Sequence, residues 1–211
     1  MHAENLSFGR HLDAIPESAS PVLVLASSSP YRRSLLARLN LPFEVAAPEV
    51  DESIRAGETP RETALRLAQA KARAVAAARP RDLIIGSDQV ASLDGAPLGK
   101  PGSHSVALAQ LLSMRGRRVE FHTAICLLDA ARGTSEIEEV PTSVQFRHFS
   151  DAQAERYLQI DRPYDCAGSA KIEALGIALV ERVESADPSA LIGLPLIALV
   201  GMLSRAGVEV P

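Results

Sequence analysis

The sequence predicts a single three-layer α/β domain built around a mixed β-sheet. In the first half of the chain, short apolar runs typical of buried strands alternate with helical patterns, as at 21–26, 30–40 and 43–46. Farther along, two strand-like stretches at 119–128 and 137–149 flank a short loop and indicate an antiparallel pair. Such an order of elements buries one sheet between two helical layers. A chain of 211 residues is long enough for one core of this kind, and no linker or repeat divides it.

The elements up to residue 46 are predicted from local signals. Residues 21–26 are almost all apolar and include β-branched side chains, which suits a strand buried on both faces. Ser29 then supplies an N-cap, and Pro30 the first position, of a helix that ends near residue 40. A second strand is expected at 43–46.

The clearest helix is predicted at 60–79, where apolar residues recur with a period of 3.6. An apolar strand at 83–86 follows it and is expected to end at Gly86. The dipeptide Asp94-Gly95 predicts a two-residue hairpin turn between two short strands.

The second half of the chain completes the sheet and its helices. Helices are expected at 103–114 and after Ser150, which is placed as an N-cap. The last strand is predicted at 177–183. The last helix is predicted at 189–206, where Pro195 is expected to bend the helix or displace its start.

Residues 1–20 are predicted to form a tail outside the domain, which is expected to span 21–211. The segment is polar and lacks the apolar core of a signal peptide. The longest apolar stretch of the chain, at 191–203, is too short to cross a bilayer. Two cysteines make neither a disulfide framework nor a structural zinc site. The expected compartment is therefore the cytoplasm, with no membrane partner.

The charge balance argues against a nucleic-acid binder. Lys and Arg number 22 and Asp and Glu number 26, which gives a net charge of −4. Proteins that bind the phosphate backbone usually carry a basic excess. A single small anionic ligand in a local site remains compatible with this balance.

A loop of small residues between the first strand and the first helix is a candidate phosphate site. Backbone N–H groups and the helix dipole gather at such a helix N-terminus and favour an anion. Ser27 and Ser29 add hydroxyl groups, and Arg32 adds a guanidinium one turn inside the helix. The alternative is an ordinary N-cap followed by arginines that face solvent.

Acidic and basic residues elsewhere are candidates for the same site. Glu52 ends an acidic loop segment that can hold a divalent cation or form a solvated turn. Asp88 is expected just past a buried strand, where an acid can act as a metal ligand, as a base toward water, or as a turn residue. Lys71 and Lys100 suit phosphate, although neither is decisive alone.

A later segment of small residues, 165–173, is typical of a loop whose backbone approaches a ligand. It contains Cys166, for which a buried, inert thiol is favoured over a nucleophile, because the histidines form no recognisable partner motif.

Several ordered motifs together resemble the Maf family of nucleoside triphosphate pyrophosphatases, from about residue 22 to 205. The matching segments are L-V-L-A-S-S-S-P-Y-R-R-S-L-L from Leu23, A-A-P-E-V-D-E from Ala46, R-L-A-Q-A-K-A from Arg66, I-I-G-S-D-Q-V from Ile84, L-G-K-P from Leu98, D-C-A-G-S from Asp165 and G-L-P-L from Gly193. A set of motifs at consistent spacing is far more specific than any one of them.

The resemblance implies an α/β domain whose long twisted mixed sheet forms a nucleotide cleft, often as a homodimer. It also implies hydrolysis between the α and β phosphates of a nucleotide, with a divalent cation such as Mg, Mn or Co. Asp88 matches the family's proton acceptor, and its role as base or metal ligand stays open. The other matching polar residues of the triphosphate site are Ser27, Arg32, Glu52, Lys71 and Lys100.

Within the family, G-S-D-Q resembles the branch that acts on 7-methyl-GTP rather than the dTTP/UTP branch. The positions that mark specificity are Tyr31, Gln89 and Glu173. Two residues depart from the pattern: Tyr31 stands where a close relative would carry Trp, and Ala124 where the family commonly has Gly. A non-catalytic nucleotide-binding regulator of septum formation is the alternative from another functional class.

Overall fold

The computed structural model describes residues 21–210 and contains a seven-stranded sheet and five α-helices. The predicted tail at 1–20 lies outside the described residues. The elements, in chain order, are β1 (Leu23–Ala26), α1 (Pro30–Ala37), β2 (Glu44–Ala46), α2 (Pro60–Ala76), β3 (Leu83–Leu93), β4 (Ala96–Leu98), α3 (His104–Met114), β5 (Arg118–Asp129), β6 (Thr134–Phe146), α4 (Asp151–Asp161), β7 (Val180–Ser185) and α5 (Leu196–Arg205).

The sheet is mixed, as the sequence predicts. Its order is β2-β1-β3-β5-β6-β7, and β4 pairs with the end of β3. The β2-β1-β3 part is parallel, whereas the pairs β3-β5, β5-β6 and β6-β7 are antiparallel. No helix among residues 21–210 is long and apolar enough to cross a membrane.

The sequence predicts that strand β3 ends at Gly86. In the structure the strand continues to Leu93. Antiparallel pairing with β5 runs from Leu83 to Ser92 and carries the strand through the polar segment. Along its other edge, β3 pairs with β1 only as far as Gly86 and with β4 only from Ala91. Between those points the edge has neither strand as a partner, and this gap opens the sheet where Asp88 lies.

Helices cover both faces of the sheet. Helix α2 packs on one face, against residues such as Ile84 and Val90. On the other face, α1 and α5 pack over one end of the sheet, and α3 and α4 pack over the other end, so that two separate apolar clusters result. The cleft lies between these two clusters and also reaches Lys71 of α2. This arrangement confirms the three-layer prediction.

Local signals set the caps and turns correctly. Ser29 caps α1, and Thr59 forms a capping box with Glu62 at the start of α2. Asp94 and Gly95 have φ values of 51° and 78°, which a tight hairpin turn requires.

Three elements begin at least three residues away from their predicted starts. Strand β6 begins at Thr134, because β5 and β6 pair up to their connecting turn. A 3₁₀ turn occupies Leu175–Leu179, so β7 begins only at Val180. The last helix begins at Leu196, because Pro195 cannot continue a helix from the 3₁₀ turn at Ala190–Ile192 that precedes it.

Candidate active site

One cleft of about 320 Å³ gathers nearly all the site residues that the sequence predicts. Its walls come from the loop before α1, the loop that follows β2, the middle of β3 and two later loops. The predicted residues that line it are Ser27, Ser29, Tyr31, Arg32, Glu52, Lys71, Gln89, Lys100 and Glu173. Asp88 lies directly behind Lys71, to which it is hydrogen-bonded. Residues far apart in the chain therefore form one site.

The serines at the start of α1 shape the end of the cleft where the sequence predicts a phosphate site. Ser27 is buried, and its Oγ accepts a hydrogen bond from the Ser29 backbone N–H at 3.1 Å. The Ser29 Oγ caps the helix by accepting from the Arg32 N–H at 3.4 Å. The prediction that Ser29 caps the helix is confirmed, and the positive end of the α1 dipole lies at the cleft.

Arg32 is fixed by a turn at the other side of the cleft. Its Nε donates to the Gly193 carbonyl oxygen at 2.8 Å, and Ser87 Oγ donates to the same oxygen at 2.9 Å. Burial lowers the pKa of Arg32, while Asp88 and Glu52 act in the opposite direction. A guanidinium stays charged at neutral pH. It therefore presents a fixed positive charge to the cleft that it lines.

Lys71 bridges two carboxylates at the floor of the cleft. Its Nζ lies 2.6 Å from Asp88 Oδ1 and 2.7 Å from Glu52 Oε1. Lys71 and Asp88 are only 5% and 6% exposed, so this lysine is not a side chain that reaches out to solvent. Burial alone would raise the pKa of Glu52, but Lys71, Lys100 and Arg32 outweigh it and hold that pKa below its ordinary value.

A glycine allows this cluster to form. A Cβ at Gly86 would lie 2.1 Å from the Ala68 carbonyl oxygen, so only glycine lets α2 lie this close to β3. Lys71 lies one turn beyond Ala68 on α2, and Asp88 lies two residues beyond Gly86 on the same face of β3. The close approach therefore places ammonium against carboxylate.

Gln89 ties the strand to the turn that carries Gly193. Its Nε2 lies 2.9 Å from Thr123 Oγ1 and 3.0 Å from the carbonyl oxygens of Ala190 and Leu191, and these three acceptors share its two N–H donors. The amide nitrogen of this predicted specificity residue is thus already used within the protein. The carbonyl oxygen of Ala124, the position that departs from the family pattern, also lies 2.9 Å from Ser87 Oγ, so the single hydroxyl proton of Ser87 is shared between this oxygen and that of Gly193.

The other end of the cleft is less charged and partly aromatic. Tyr31 and Glu173 lie there with the apolar side chains of Phe121, Ile172 and Leu191. Burial raises the pKa of Tyr31, and Lys171 opposes that shift.

The thiol of Cys166 also lines this end of the cleft. Burial, aided by the neighbouring Asp165 carboxylate, raises the pKa of Cys166 to about 12. Since the thiolate is the reactive form, the raised pKa disfavours a nucleophilic role for this half-buried thiol.

Comparison with known proteins assigns the family. The model of Maf-like proteins matches residues 22–206. This chain belongs to the Maf family. A protein of Cupriavidus metallidurans is 60% identical over 187 residues, which cover 89% of this chain and 94% of that protein. Relatives from Paraburkholderia xenovorans and Methylobacillus flagellatus are 61% and 58% identical over 190 residues each, covering 89% and 90% of this chain and 93% and 99% of theirs. All three are named 7-methyl-GTP pyrophosphatase.

Among solved structures, that of the Staphylococcus aureus Ham1 protein matches with a TM-score of 0.43 and 20% identity. The match covers 60% of this Maf chain and 72% of that chain. It is too distant to bear on the site.

The acidic residues of this Maf protein suit a divalent cation. Glu52 and Asp88 offer hard oxygen donors, and both already surround one positive charge, the Lys71 ammonium. Among residues 21–210, no group of three or more His, Cys, Asp or Glu side chains forms a potential metal site. Mg²⁺ typically takes one or two carboxylates and completes its shell with phosphate oxygens and water. The two acids fit that pattern.

Sequence reasoning marked Gly193 through the G-L-P-L motif but missed the residues that fix this turn, which supports Arg32 in this Maf protein. Asp187 is 2% exposed, and its carboxylate accepts from the Ser189 N–H at 2.9 Å and from the Ile197 N–H at 2.6 Å. Ser189 Oγ accepts from the Leu196 N–H at 2.8 Å. These bonds cap α5 and fix the intervening Gly193. The segment Asp-Pro-Ser, typical of a turn, is the only local signal for it.

Proposed function

We propose that this Maf protein hydrolyses 7-methyl-GTP to 7-methyl-GMP and pyrophosphate. The relatives' name supports the substrate. The observation that carries the chemistry is the Lys71 cluster, in which one ammonium joins Asp88 and Glu52 within a cleft that Arg32 and Lys100 also line.

The donors of Lys71 explain how the cluster receives a phosphate. An ammonium has three N–H donors, and the two carboxylates take two of them. The third remains for a phosphate oxygen. Arg32 adds its guanidinium from α1, and Lys100 adds an exposed ammonium from the loop before α3.

The charges of the site favour a metal ion. Three cations and two carboxylates give 3 − 2 = +1, whereas a triphosphate carries about four negative charges. Glu52 and Asp88 are the residues that would hold a divalent cation, which would supply the missing positive charge and polarise the phosphoryl oxygens. The chain's own residues orient the triphosphate through Arg32 and Lys71.

In the reaction, water attacks the α-phosphorus and the bond to the oxygen that bridges the α and β phosphates breaks. Pyrophosphate leaves with that oxygen. We assign to Asp88 the acceptance of the proton that the water loses, because it is the buried carboxylate next to the phosphate-binding lysine. Tyr31, Gln89 and Glu173 form the base end, where the ring and the carboxylate suit a purine that carries a positive charge.

A pyrophosphate-release assay over a nucleotide panel tests the proposal. Each nucleotide is incubated with Mg²⁺, Mn²⁺ or Co²⁺, with and without added inorganic pyrophosphatase, and free phosphate is measured. Phosphate that appears only with pyrophosphatase, fastest from 7-methyl-GTP, is the expected result. Faster release from dTTP or UTP would assign the other branch, and binding without release would make the protein a regulator. Phosphate without pyrophosphatase would place cleavage at the terminal phosphate.

The proposal extends to a homodimer, which the family resemblance implies, and to the cytoplasm, which the composition indicates. Size-exclusion chromatography with light scattering measures the mass of the protein in solution, which is 22.5 kDa for one chain. Elution at the mass of one chain at micromolar concentration would contradict the dimer and leave the activity untouched.

A further inference from the structure

A group of three side chains at the base end takes no part in the phosphate chemistry. Tyr31 OH donates to Asp165 Oδ2 at 3.5 Å. Lys171 Nζ lies 3.7 Å from Asp165 Oδ1 and 5.8 Å from the centroid of the Tyr31 ring, over its face. We call Tyr31, Asp165 and Lys171 the base-end triad.

The two charges of the triad differ in access to the cleft. The side chain of Asp165 lines the cleft and is 61% exposed. Lys171 is not part of the lining; its side chain is 17% exposed, and Nζ donates to the Asp161 carbonyl oxygen at 3.3 Å. A ligand in the cleft can therefore contact the carboxylate of Asp165. The charge of Lys171, which lies over the tyrosine ring and outside the lining, acts on that ligand only through its electrostatic field.

The pairing between these charges is also loose. Asp165 and Lys171 are separated by 3.7 Å, whereas the Lys71 pairs at the phosphate end measure 2.6 Å and 2.7 Å. An exposed carboxylate in so long a pair keeps most of its ability to attract another cation.

We propose that Asp165 is a specificity-determining residue that attracts the positive charge of a base methylated at N7, while Lys171 opposes that attraction. The role rests on the proposed function, because only a methylated base brings a formal charge to this end of the cleft. Neutral GTP offers no such charge, so the two residues change the preference between the substrates more than the hydrolysis itself. Their effects have opposite signs.

The test is the ratio of kcat/KM for 7-methyl-GTP to kcat/KM for GTP in four variants. At separations near 6 Å in a partly hydrated cleft, Asp165→Asn is expected to lower the ratio by about threefold to tenfold. Lys171→Gln keeps a donor for the Asp161 carbonyl and is expected to raise the ratio by a similar factor. The double variant removes both charges and is expected to return toward the wild-type ratio. Glu181→Gln removes an exposed acid that does not line the cleft, and is expected to leave the ratio unchanged.

The outcomes separate this role from the proposed function. A wild-type enzyme with no preference for 7-methyl-GTP overturns the proposed substrate and this role with it. A clear wild-type preference that survives Asp165→Asn within a factor of two overturns this role alone. A shift of the same sign in Asp165→Asn and Lys171→Gln, with normal melting temperatures, would assign both residues to cleft shape rather than charge.

Discussion

Replacing Asp88 with asparagine is expected to remove most turnover while the nucleotide still binds. Asp88 is 6% exposed, and its Oδ1 accepts from Lys71 Nζ at 2.6 Å. Asparagine has nearly the same size and keeps an oxygen acceptor for that bond. It lacks the negative charge that attracts a proton or a divalent cation.

The structure sets the expected magnitudes. Loss of a general base, or of one metal ligand, lowers kcat by about 100-fold or more. With saturating divalent cation, KM is expected to stay the same or fall, because Glu52 remains to hold the cation and one repulsive charge near the triphosphate is gone. Lys71 keeps Glu52 as an ion-pair partner, so its buried ammonium still has a neutralising carboxylate. The free energy of unfolding is therefore expected to fall by about 1–3 kcal/mol. A domain of this size then loses about 2–4 °C in Tm for each kcal/mol.

Steady-state kinetics with 7-methyl-GTP, well below the measured Tm, checks this expectation. Asp94→Asn makes the same chemical change at the exposed hairpin turn that follows β3, and serves as the matched control. A kcat for Asp88→Asn within tenfold of wild type would refute the assignment of Asp88 to the reaction. A large rise in KM with kcat preserved would show that Asp88 acts in binding instead.

Three further changes have definite expected outcomes. Glu173→Gln is expected to reduce the advantage of 7-methyl-GTP over GTP more than the overall rate, measured as the ratio of their kcat/KM values, because an amide offers no negative charge to a cationic base. Deletion of residues 2–20, which lie outside the described structure, is expected to change activity little; a large loss at an unchanged Tm would place the tail at the site. Gly193→Ala is expected to lower kcat/KM and cost about 1–3 kcal/mol of stability in denaturant unfolding, since φ is 114° and the added Cβ would lie 3.5 Å from Arg32 Nε. Wild-type kinetics in that variant would show that the turn does not position Arg32.

Local features of the fold follow from neighbouring residues, and the sequence predicts them well. The caps at Ser29 and Thr59 and the turn at Asp94-Gly95 depend on atoms a few positions apart, so their signals survive without the rest of the chain. The membership of the cleft was also predictable, because ordered motifs mark its residues even though their spacing in the chain is large.

The path of β3 depends on a partner strand. Ser87, Asp88 and Gln89 interrupt an apolar run, and a local pattern therefore ends the strand at Gly86. The backbone of β5 pairs with this polar segment and continues the strand to Leu93.

By itself the sequence determined the family, the layered α/β class, most element boundaries and the list of charged residues that meet in the cleft. Only the tertiary structure decided that Lys71 is buried between Asp88 and Glu52, and that the turn around Gly193 holds Arg32. The physical reason is distance along the chain. An ion pair across 17 residues and a hydrogen bond across 161 leave no periodicity to read, and they form only once α2 lies against β3 and the turn before α5 closes over the sheet.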